Sequence, residues 1–361
     1  MKKILFLTNH LQKSDGVVRA LINLTNNLDK AKYDITIVSL FRFENEIVKE
    51  FDRRIKVKKV FGYYFKGLSK LAKIIPFGIL KNRIIGKKNY DILIAYQAGF
   101  PTQFLSNPRI MNKKIVFMHG YDTQSVRFHQ NYDKIVCVSK NASIDYKKIT
   151  NFPEKITYCN NIVSIDRILN MSKENIDFNF DKLKQPIFGF VGRLSPEKGL
   201  LRNLEAVKRL KDEGYQFSFV LVGDGPEREK IKLFINDNKL NDDIVMVGFQ
   251  SNPYKYMKHF DYYLCSSFSE GLNTSCIEAS ILNVPVISTL VSGAKEIVED
   301  IPIGIVVDNS NEGIYAGMKK VLDNEDLKKE WQLNFNDANK KWTKKFILNS
   351  FDKIIEEVMS K

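Results

Sequence analysis

The stretch from Tyr262 to Ser288, YYLCSSFSEGLNTSCIEASILNVPVIS, joins an apolar strand pattern, a polar loop, a helical pattern and a second apolar strand pattern. Such a strand–helix–strand unit is the repeating element of a parallel, doubly wound sheet. Its loop contains Glu270, and Glu278 follows eight positions later. Carboxylates accept hydrogen bonds from hydroxyl groups, and the free N–H groups of a helix start bind anions. The stretch therefore predicts a site for a ligand that carries both hydroxyl groups and a diphosphate.

The same alternation of strand and helix patterns continues in both directions, and a polar segment around residues 170–185 divides it. We expect an α/β fold with two Rossmann-like domains facing across a cleft, over residues 1–180 and 181–340. A C-terminal helix over residues 341–361 is expected to pack back on the first domain. Strand patterns lie at Lys3–Thr8, Ile35–Leu40, Ile55–Val60, Ile92–Tyr96, Ile115–Met118, Ile135–Val138, Ile187–Val191, Phe217–Val222, Ile244–Val247, Tyr262–Cys265, Val286–Ser288 and Gly304–Val307, and the helical patterns include Glu278–Leu282 and Asp326–Lys340.

The composition is that of a globular chain, with 361 residues of which 44% are hydrophobic and 27% charged. No apolar run approaches the roughly 20 residues of a membrane-spanning helix. The first apolar run ends at Asn9-His10 without a small-residue cleavage site, which predicts a strand and not a signal peptide. Four scattered cysteines without metal-ligand spacing predict free thiols of a reducing compartment. We therefore expect a cytoplasmic protein.

The net charge of +14 is concentrated in one segment, which contains seven basic residues and no acidic one between positions 66 and 88. Apolar residues interleave with the cations at spacings of three and four, as in a basic amphipathic helix. This pattern predicts a face for an anionic membrane or a lipid acceptor, and an ordinary surface helix remains the alternative. Nucleic acid is disfavoured because no recognised binding motif is present. The basic residues are Lys66, Lys70, Lys73, Lys81, Arg83, Lys87 and Lys88.

Two glycine-containing loops follow the first two strand patterns of the second half. The first, VGRLSPEKG at 191–199, places a guanidinium at Arg193 and an ammonium at Lys198. Together they offer a forked donor and a point charge to one anion, although a solvated surface turn is equally consistent with this sequence alone. The second loop contains Gly223 and Gly225, which allow close backbone approach to a base or phosphate, or simply form a good turn.

The first half contributes two further candidates. Asp15-Gly16 precedes a helical pattern, so that Gly16 offers its backbone to a ligand or Asp15 caps the helix. His119 follows a strand pattern and precedes a glycine, which predicts a side chain at the ligand-binding edge and not in the core. A structural loop histidine is the alternative.

In this order, the motifs resemble those of the family 4 retaining glycosyltransferases of the GT-B architecture, over nearly the whole chain. The shared pattern comprises a glycine-containing first loop, His-Gly in the first domain, G-R-x4-K-G opening the second, G-x-G after its next strand, and E-x7-E. Two departures are present. The family often has two glycines where this chain has Asp15-Gly16, and a glycine or proline where it has Asn273.

The resemblance implies an acceptor domain followed by a donor domain. Arg193 and Lys198 would hold the diphosphate, Glu270 the hydroxyls of the donor sugar, and Glu278 those of the ribose. His119 would contact the donor sugar from the first domain, so that Glu270, His119, Arg193 and Lys198 form the expected catalytic set. The other donor-binding positions implied are Gly16, Gly192, Gly223, Gly225, Phe249, Gln250, Gly271, Leu272, Asn273 and Thr274.

The implied reaction moves a hexosyl or N-acetylhexosaminyl group, with retention, from a nucleotide sugar to a hydroxyl of a lipid-linked or polysaccharide acceptor. A UDP-sugar is the implied co-substrate, and front-face attack and double displacement both stay open. No Asp-x-Asp triplet occurs, so we expect neither a bound metal nor another cofactor. The resemblance also leaves open a sugar-nucleotide epimerase or a non-catalytic sugar- or lipid-binding relative. With the basic segment, it implies a peripheral location on the inner face of the membrane.

Overall fold

The computed structural model describes residues 1–12, 15–62, 71–72, 74–120 and 125–360. The chain forms two compact units, one of residues 1–162 with 344–361 and the other of residues 163–343. Each unit contains one parallel sheet with helices between its strands. The expected α/β class with two Rossmann-like domains is therefore confirmed.

The first unit contains a seven-stranded sheet with the order β3-β2-β1-β4-β5-β6-β7. Strand β1 is central, because Ile4 pairs with Ile35 on one side and with Ile92 on the other. The strands are β1 (Lys2–Leu11), β2 (Tyr33–Phe43), β3 (Lys56–Lys59), β4 (Ile92–Ala95), β5 (Lys113–Met118), β6 (Lys134–Cys137) and β7 (Ile156–Tyr158). The helices are α1 (Gly16–Asn27), α2 (Asn45–Val48), α3 (Phe77–Ile84), α4 (Phe100–Leu105), α5 (Val126–His129) and α6 (Lys140–Lys148).

The second unit contains a six-stranded sheet with the order β10-β9-β8-β11-β12-β13. Its strands are β8 (Ile187–Val191), β9 (Ser218–Val222), β10 (Ile244–Gly248), β11 (Tyr262–Cys265), β12 (Val286–Thr289) and β13 (Gly304–Val307). Its helices are α7 (Ile165–Ser172), α8 (Leu200–Asp212), α9 (Arg228–Asp237), α10 (Tyr254–Met257), α11 (Thr274–Ile281), α12 (Ala294–Val298), α13 (Asn311–Asp323), α14 (Asp326–Gln332) and α15 (Phe335–Lys340). The last helix of the chain, α16 (Lys344–Met359), belongs to the first unit.

Both sheets follow the same winding rule. The first strand of each lies between the second and the fourth, so the direction of winding reverses between the first and fourth strands. Loops diverge at such a switch point and leave a crevice beyond the carboxyl ends of the strands. In the first unit this crevice lies after β1 and β4, and in the second after β8 and β11. The loops after β8 and β11 contain Arg193, Lys198 and Glu270 of the predicted catalytic set.

The central strands are buried on both faces, which explains their nearly continuous apolar sequence. In β1 the run from Ile4 to Leu7 is fully buried, as is Phe188 to Phe190 in β8. All four cysteines are buried free thiols, as the spacing predicted. Because the apolar side chains of each unit pack around that unit's own sheet, each has a separate core.

The boundary between the units lies near residue 162, and the predicted boundary at 180 is wrong in this respect. Helix α7 packs on α10 and α11 of the second unit. The Asn252 amide donates to the Met171 carbonyl at 2.8 Å and to the Glu174 carboxylate at 2.9 Å. The polar segment that indicated a linker begins in the last turn of this docked helix, which ends at Ser172, and continues beyond it.

The C-terminal helix α16 packs in the first unit through one apolar face. Phe351 is fully buried and lies 6.5 Å from the Phe6 ring and 6.2 Å from the Tyr33 ring. The Tyr33 hydroxyl donates to Asp352 at 2.8 Å, and Lys134 pairs with Glu357 at 2.9 Å. Residues 344–361 thereby complete the core that begins with β1.

Three local predictions differ from the structure. Strand β7 was missed, since only three residues pair with β6. Helix α11 begins at Thr274 and not at Glu278, because the Asn273 side chain accepts the Cys276 N–H and caps the helix there. The single helix predicted over Asp326–Lys340 is two helices, α14 and α15, which Leu333 and Asn334 separate.

Candidate functional site

The loop after β8 carries the two predicted phosphate-binding cations. Arg193 is exposed, and its side chain has no hydrogen bond or ion pair to any described residue. Lys198 ends a short 3-10 turn, and Gly199 follows with a left-handed φ of 63°. A Cβ at Gly199 would lie 2.4 Å from the Ser266 carbonyl oxygen. Glycine is therefore needed where this loop turns into α8.

Lys198 and Glu270 form a partly buried ion pair, with 2.6 Å between Nζ and Oε1. Burial lowers the pKa of Lys198, but the Glu270 carboxylate outweighs burial and the pKa lies above its ordinary value. The Ser267 hydroxyl donates to the same Oε1 at 2.6 Å, and the Asn273 amide approaches it at 3.4 Å. Lys198, Ser267 and Asn273 all donate to Oε1. No described residue donates a hydrogen bond to Oε2.

Backbone bonds join the loops after β8 and β11, which keeps this ion pair in place. The Phe268 N–H donates to the Glu197 carbonyl at 3.0 Å. The Ser266 hydroxyl donates to the Lys198 carbonyl at 2.9 Å. Arg202 supports the same loop, because its guanidinium donates to the Ser266 carbonyl at 3.1 Å and lies 4.5 Å from the Phe268 ring centre. The two loops therefore form one rigid platform.

Asn273 connects this platform to the start of α11. Its Oδ1 accepts the Cys276 N–H at 3.3 Å, and its Nδ2 donates to the Cys265 sulfur at 2.9 Å. The next residue, Thr274, is the first of the helix and is partly exposed. Leu272 is buried beneath the turn, and Gly271 is partly exposed. The departure from a glycine or proline at position 273 thus supplies a helix cap and a Glu270 partner.

Glu278 lies one turn into α11 and is partly buried. The Tyr254 hydroxyl donates to its Oε1 at 3.1 Å. Burial raises the pKa of Glu278 to about 7, which outweighs the hydrogen bond from Tyr254. No described residue donates a hydrogen bond to Oε2. This carboxyl accordingly gains or loses its charge near neutral pH.

Gly223 and Gly225 make room for protein backbone. A Cβ at Gly223 would lie 1.8 Å from the Gly192 carbonyl oxygen, and one at Gly225 would lie 2.3 Å from that of Leu194. The Leu194 N–H donates to the Asp224 carbonyl at 3.0 Å, which joins the loops after β8 and β9. The structure explains both glycines by this packing, and contact with a ligand at these positions stays a prediction.

The end of β10 presents an unusual apolar side chain. Phe249 is 74% exposed and Gln250 is partly buried. An aromatic ring open to solvent at the carboxyl edge of a sheet offers a stacking surface. Its place matches the position where the resemblance puts the base of the nucleotide.

In the first unit, Asp15 caps α1 by accepting the Val17 N–H at 2.7 Å. Its other carboxylate oxygen accepts from His10 Nε2 at 2.5 Å and from Gln97 Nε2 at 3.1 Å. Gly16 is open, since a Cβ added there would meet no heavy atom within 4 Å. The capping function that the sequence left open is therefore present, and a ligand contact of Gly16 stays a prediction.

His119 follows β5 and lines a cavity of about 320 Å³. Burial lowers the pKa of His119 to about 4, so the imidazole is neutral at physiological pH. Its Nε2 is buried and has no hydrogen-bond partner among the described residues. The ring lies 4.6 Å from the Tyr96 ring centre. A neutral imidazole with an unused nitrogen suits hydrogen bonding to a hydroxyl better than pairing with a charge.

Of the basic segment, Lys66, Lys70 and Lys73 lie outside the described residues. Arg83 and Lys87 are exposed and Lys81 is partly exposed, next to exposed Ile79. Lys88 differs, because it pairs with Asp34 at 2.8 Å and its charge is compensated. Within the described ranges, no helix has the length and apolar character needed to cross a bilayer.

The side chains that hold the predicted site residues in place were not predicted from the sequence. Ser267 and Tyr254 hold the two glutamates, and no spacing rule marks them. His10 and Gln97 hold Asp15. A signal for His10 did exist, since a histidine directly after the first strand pattern lies at the ligand-binding edge just as His119 does.

Comparison with known proteins shows what the chain is similar to. Residues 172–341, which form most of the second unit, match the family model described as glycosyl transferases group 1. An uncharacterized glycosyltransferase of Methanocaldococcus jannaschii is 27% identical over 72% of the chain, which spans 63% of that relative's length. An uncharacterized glycosyltransferase of Haemophilus influenzae is 24% identical over 99% of both chains.

Among characterised relatives, this chain is similar to the N-acetylgalactosamine-N,N'-diacetylbacillosaminyl-diphospho-undecaprenol 4-alpha-N-acetylgalactosaminyltransferase of Campylobacter jejuni. The two are 26% identical over 69% of this chain and 68% of that protein. The fold is that of Anabaena HepE, solved in complex with UDP, with a TM-score of 0.75, 16% identity and coverage of 99% and 100% of the two chains. The GT-B fold inferred from the motifs is thus confirmed, and the similarities agree with the family that the motifs indicated.

Proposed function

We propose that this transferase moves a hexosyl or N-acetylhexosaminyl group from a UDP-sugar to a hydroxyl of a lipid-linked or polysaccharide acceptor, with retention of configuration. The observation that carries the proposal is the platform of the second unit. There the Lys198–Glu270 pair lies between an exposed Arg193 and the capped start of α11. Such cations can pair with a diphosphate, and the neighbouring carboxylate can accept hydrogen bonds from the hydroxyls of a sugar.

The cations account for departure of the nucleotide. When the bond between the sugar and the diphosphate breaks, negative charge develops on the leaving phosphate oxygen. Fixed donors that point at a developing charge stabilise the transition state strongly. The raised pKa of Lys198 keeps its ammonium charged, and Arg193 is always charged. The helix N-terminus that begins at Thr274 adds a partial positive charge.

Glu270 accounts for recognition of the sugar. Because Oε1 is occupied by Lys198 and Ser267, Oε2 is the acceptor that remains for a sugar hydroxyl. Its negative charge also favours the positive charge that develops at the anomeric carbon. Glu278 with its free Oε2 is proposed to accept from the ribose hydroxyls, and Phe249 to stack on the base.

We propose that the reaction needs no metal ion, since Lys198, Arg193 and the start of α11 compensate the diphosphate charge. Activity should persist when a chelator is in excess. A complete loss that Mg²⁺ or Mn²⁺ restores would overturn this part of the proposal. A metal-stripped sample to which no chelator is added serves as the control for direct chelator effects.

A membrane-bound acceptor is supported by two facts. The Campylobacter jejuni relative is named for a diphospho-undecaprenol substrate. In this chain, Arg83 and Lys87 are exposed next to apolar Ile79. We therefore propose a peripheral association of the first unit with the cytoplasmic face of an anionic membrane.

The decisive experiment is a thermal-shift screen of nucleotide sugars followed by turnover of each hit, because a ligand that binds the native state stabilises it by mass action. Release of UDP that depends on an added acceptor, with an α-linked product from an α-linked donor, supports retaining transfer. Conversion of the nucleotide sugar without an acceptor identifies an epimerase instead. Binding without turnover under any acceptor identifies a non-catalytic relative.

A further inference from the structure

The cavity of the first unit lies at the carboxyl ends of β1, β4 and β5, at the switch point of the sheet, and is lined by the ends of β1 and β5 and by the segments that follow the three strands. Of the four histidines in the chain, three line it, namely His10, His119 and His129. Its volume of about 320 Å³ lies at the lower end of the roughly 300–1,000 Å³ typical of small-molecule pockets. This size suits a single sugar ring better than a whole nucleotide sugar.

His10 is held in one orientation and one tautomer. Asp15 Oδ2 accepts from His10 Nε2 at 2.5 Å and from Gln97 Nε2 at 3.1 Å, while Oδ1 accepts from Val17 N–H. Burial raises the pKa of Asp15, but the bonds from His10 and Val17 outweigh it and the pKa lies below its ordinary value. An ionised carboxylate only accepts, so His10 Nε2 carries a proton, and the tautomer with this single ring proton leaves Nδ1 as an acceptor.

Gln97 fixes this arrangement from the other side. Its Oε1 accepts the Asn9 N–H at 2.7 Å and the His10 N–H at 3.2 Å. Those two bonds settle which end of the Gln97 amide faces Asp15. The backbone and the side chain of His10 are therefore anchored to one residue pair, Asp15 and Gln97.

The consequence is an unused acceptor in the cavity. With the proton on Nε2, His10 Nδ1 carries a lone pair, and no described residue donates to it. His119 Nε2 is a second nitrogen without a described partner. The floor of the cavity is apolar, with Val116 and Phe117 buried. Asp15 is the one carboxylate among the described lining residues, which include no Lys or Arg, so the cavity disfavours a diphosphate.

We propose that this cavity binds one sugar ring of the acceptor, and that His10 Nδ1 accepts a hydrogen bond from an acceptor hydroxyl. Asp15 and Gln97 act as positioning residues, because they fix the tautomer and the orientation of His10. The inference rests on the proposed transfer reaction and deepens it. The hydroxyls of the donor sugar already have an acceptor in Glu270 of the second unit, whereas nothing else described so far serves the acceptor hydroxyl.

The test compares His10→Gln with His259→Gln. Glutamine retains a donor toward Asp15 but lacks an acceptor in the place of Nδ1, and His259 stacks on Phe180 in the second unit, away from this cavity. Transfer is measured with UDP-glucose, UDP-N-acetylglucosamine and UDP-N-acetylgalactosamine as donors and a polyprenyl-diphosphate-linked N-acetylhexosamine as acceptor. Hydrolysis of each donor without acceptor is measured in parallel, and UDP affinity by calorimetry checks folding.

His10→Gln should lower the ratio of transfer to hydrolysis about tenfold, the loss expected for one hydrogen bond, and raise the acceptor KM. His259→Gln should leave that ratio unchanged. An unchanged ratio in His10→Gln would overturn the inference. So would an equal loss of transfer and hydrolysis, since that pattern assigns His10 to the donor sugar.

If no donor is transferred at all, the proposed function fails and the cavity is tested alone. Four histidine ring signals are observed by NMR in ¹³C-histidine-labelled protein and assigned with the His10 and His259 variants. Millimolar glucose, N-acetylglucosamine or N-acetylgalactosamine should shift the His10 signal and leave that of His259 in place. Absence of any His10 shift with all three sugars would overturn the inference.

Discussion

In the first unit, the end of β1 and the loops that follow β1 and β4 bring together an imidazole, a carboxylate and an amide, in His10, Asp15 and Gln97. In the second unit, the loops that follow β8 and β11 bring together an ammonium and a carboxylate, in Lys198 and Glu270. The two sheets have the same strand order around their first strands, and both clusters lie at the switch point. Topology therefore determines where each site lies, and the loop residues determine what it binds.

The loops at the carboxyl edges of the two sheets also differ in how their backbones pack. In the second unit the loops touch through glycines, as at Gly223 against the Gly192 carbonyl, and carry the exposed Arg193 and the partly buried Lys198. In the first unit, Gly16 is open and the loops are joined through side chains around a cavity. A platform with cations suits an anion, whereas a cavity whose described lining includes no Lys or Arg suits a polyol.

The largest effect is expected when the charge of the platform is removed. Lys198→Ala and Arg193→Ala should each lower kcat/KM by about 10²–10³-fold, the cost of losing one donor to a developing charge. Arg193 forms no hydrogen bond or ion pair with a described residue, so its loss acts mainly on the ligand, whereas loss of Lys198 also leaves Glu270 without its ion-pair partner. Steady-state kinetics and a UDP titration measure both effects.

Lys232→Ala is the matched control, since Lys232 is an exposed lysine of the same unit whose partner is exposed Glu229. It should leave kcat/KM unchanged. Near-normal turnover in both platform variants would show that the cluster of the second unit does not hold the diphosphate. The proposed difference in ligand between the two units would then be wrong.

Much of this contrast was predictable from sequence. The apolar runs of β1 and β8 determine the buried central strands, and strand ends place Lys198, Glu270 and His119 at the ligand edge. Pairing was not predictable, because bonds such as Ser267 to Glu270 depend on how two distant loops meet. The domain boundary was misplaced for a related reason, since the docking of α7 depends on the side chain of Asn252.

A glycine pair tests the difference in backbone packing. Gly223→Ala should destabilise the second unit by about 1–3 kcal/mol, because its Cβ would lie 1.8 Å from the Gly192 carbonyl oxygen. Gly16→Ala should stabilise the first unit by about 0.5–1 kcal/mol, since its Cβ meets no atom within 4 Å at a helical position. Urea unfolding with a probe for each unit measures both. Equal destabilisation by the two variants would contradict the contrast.

The carboxyls of the two units should respond to pH in opposite directions. Glu278 has a pKa of about 7 against an ordinary 4.5, so the folded state holds more protons between these values and stability falls as pH rises through them. Asp15 has a lowered pKa, so its contribution is present above the ordinary value near 3.8 and is lost as pH falls.

Glu278→Gln should therefore raise the Tm at pH 8 by about 2–4 °C, corresponding to about 1 kcal/mol, and match the wild type near pH 5. Asp15→Asn should lower the Tm at pH 8 and approach the wild type in acid. Thermal unfolding between pH 2 and pH 8 measures both series. A Glu278→Gln difference that does not change with pH would refute the buried carboxyl as its cause.

The smallest expected effect concerns the membrane face of the first unit. Lys81→Ala and Arg83→Ala should each weaken binding to anionic liposomes by about 1 kcal/mol, or about fivefold, because each removes an uncompensated charge near the bilayer surface. Lys88→Ala is the matched control, since its ammonium is paired with Asp34 at 2.8 Å and contributes little field outside the protein. Liposome sedimentation at low salt measures all three.

If Lys88→Ala weakens binding as much as Arg83→Ala, net charge and not an exposed face determines the association. The basic segment is then an ordinary surface helix. If only Lys81 and Arg83 matter, the first unit combines a lipid-facing surface with a cavity whose described lining includes no Lys or Arg, in contrast to the anion platform of the second.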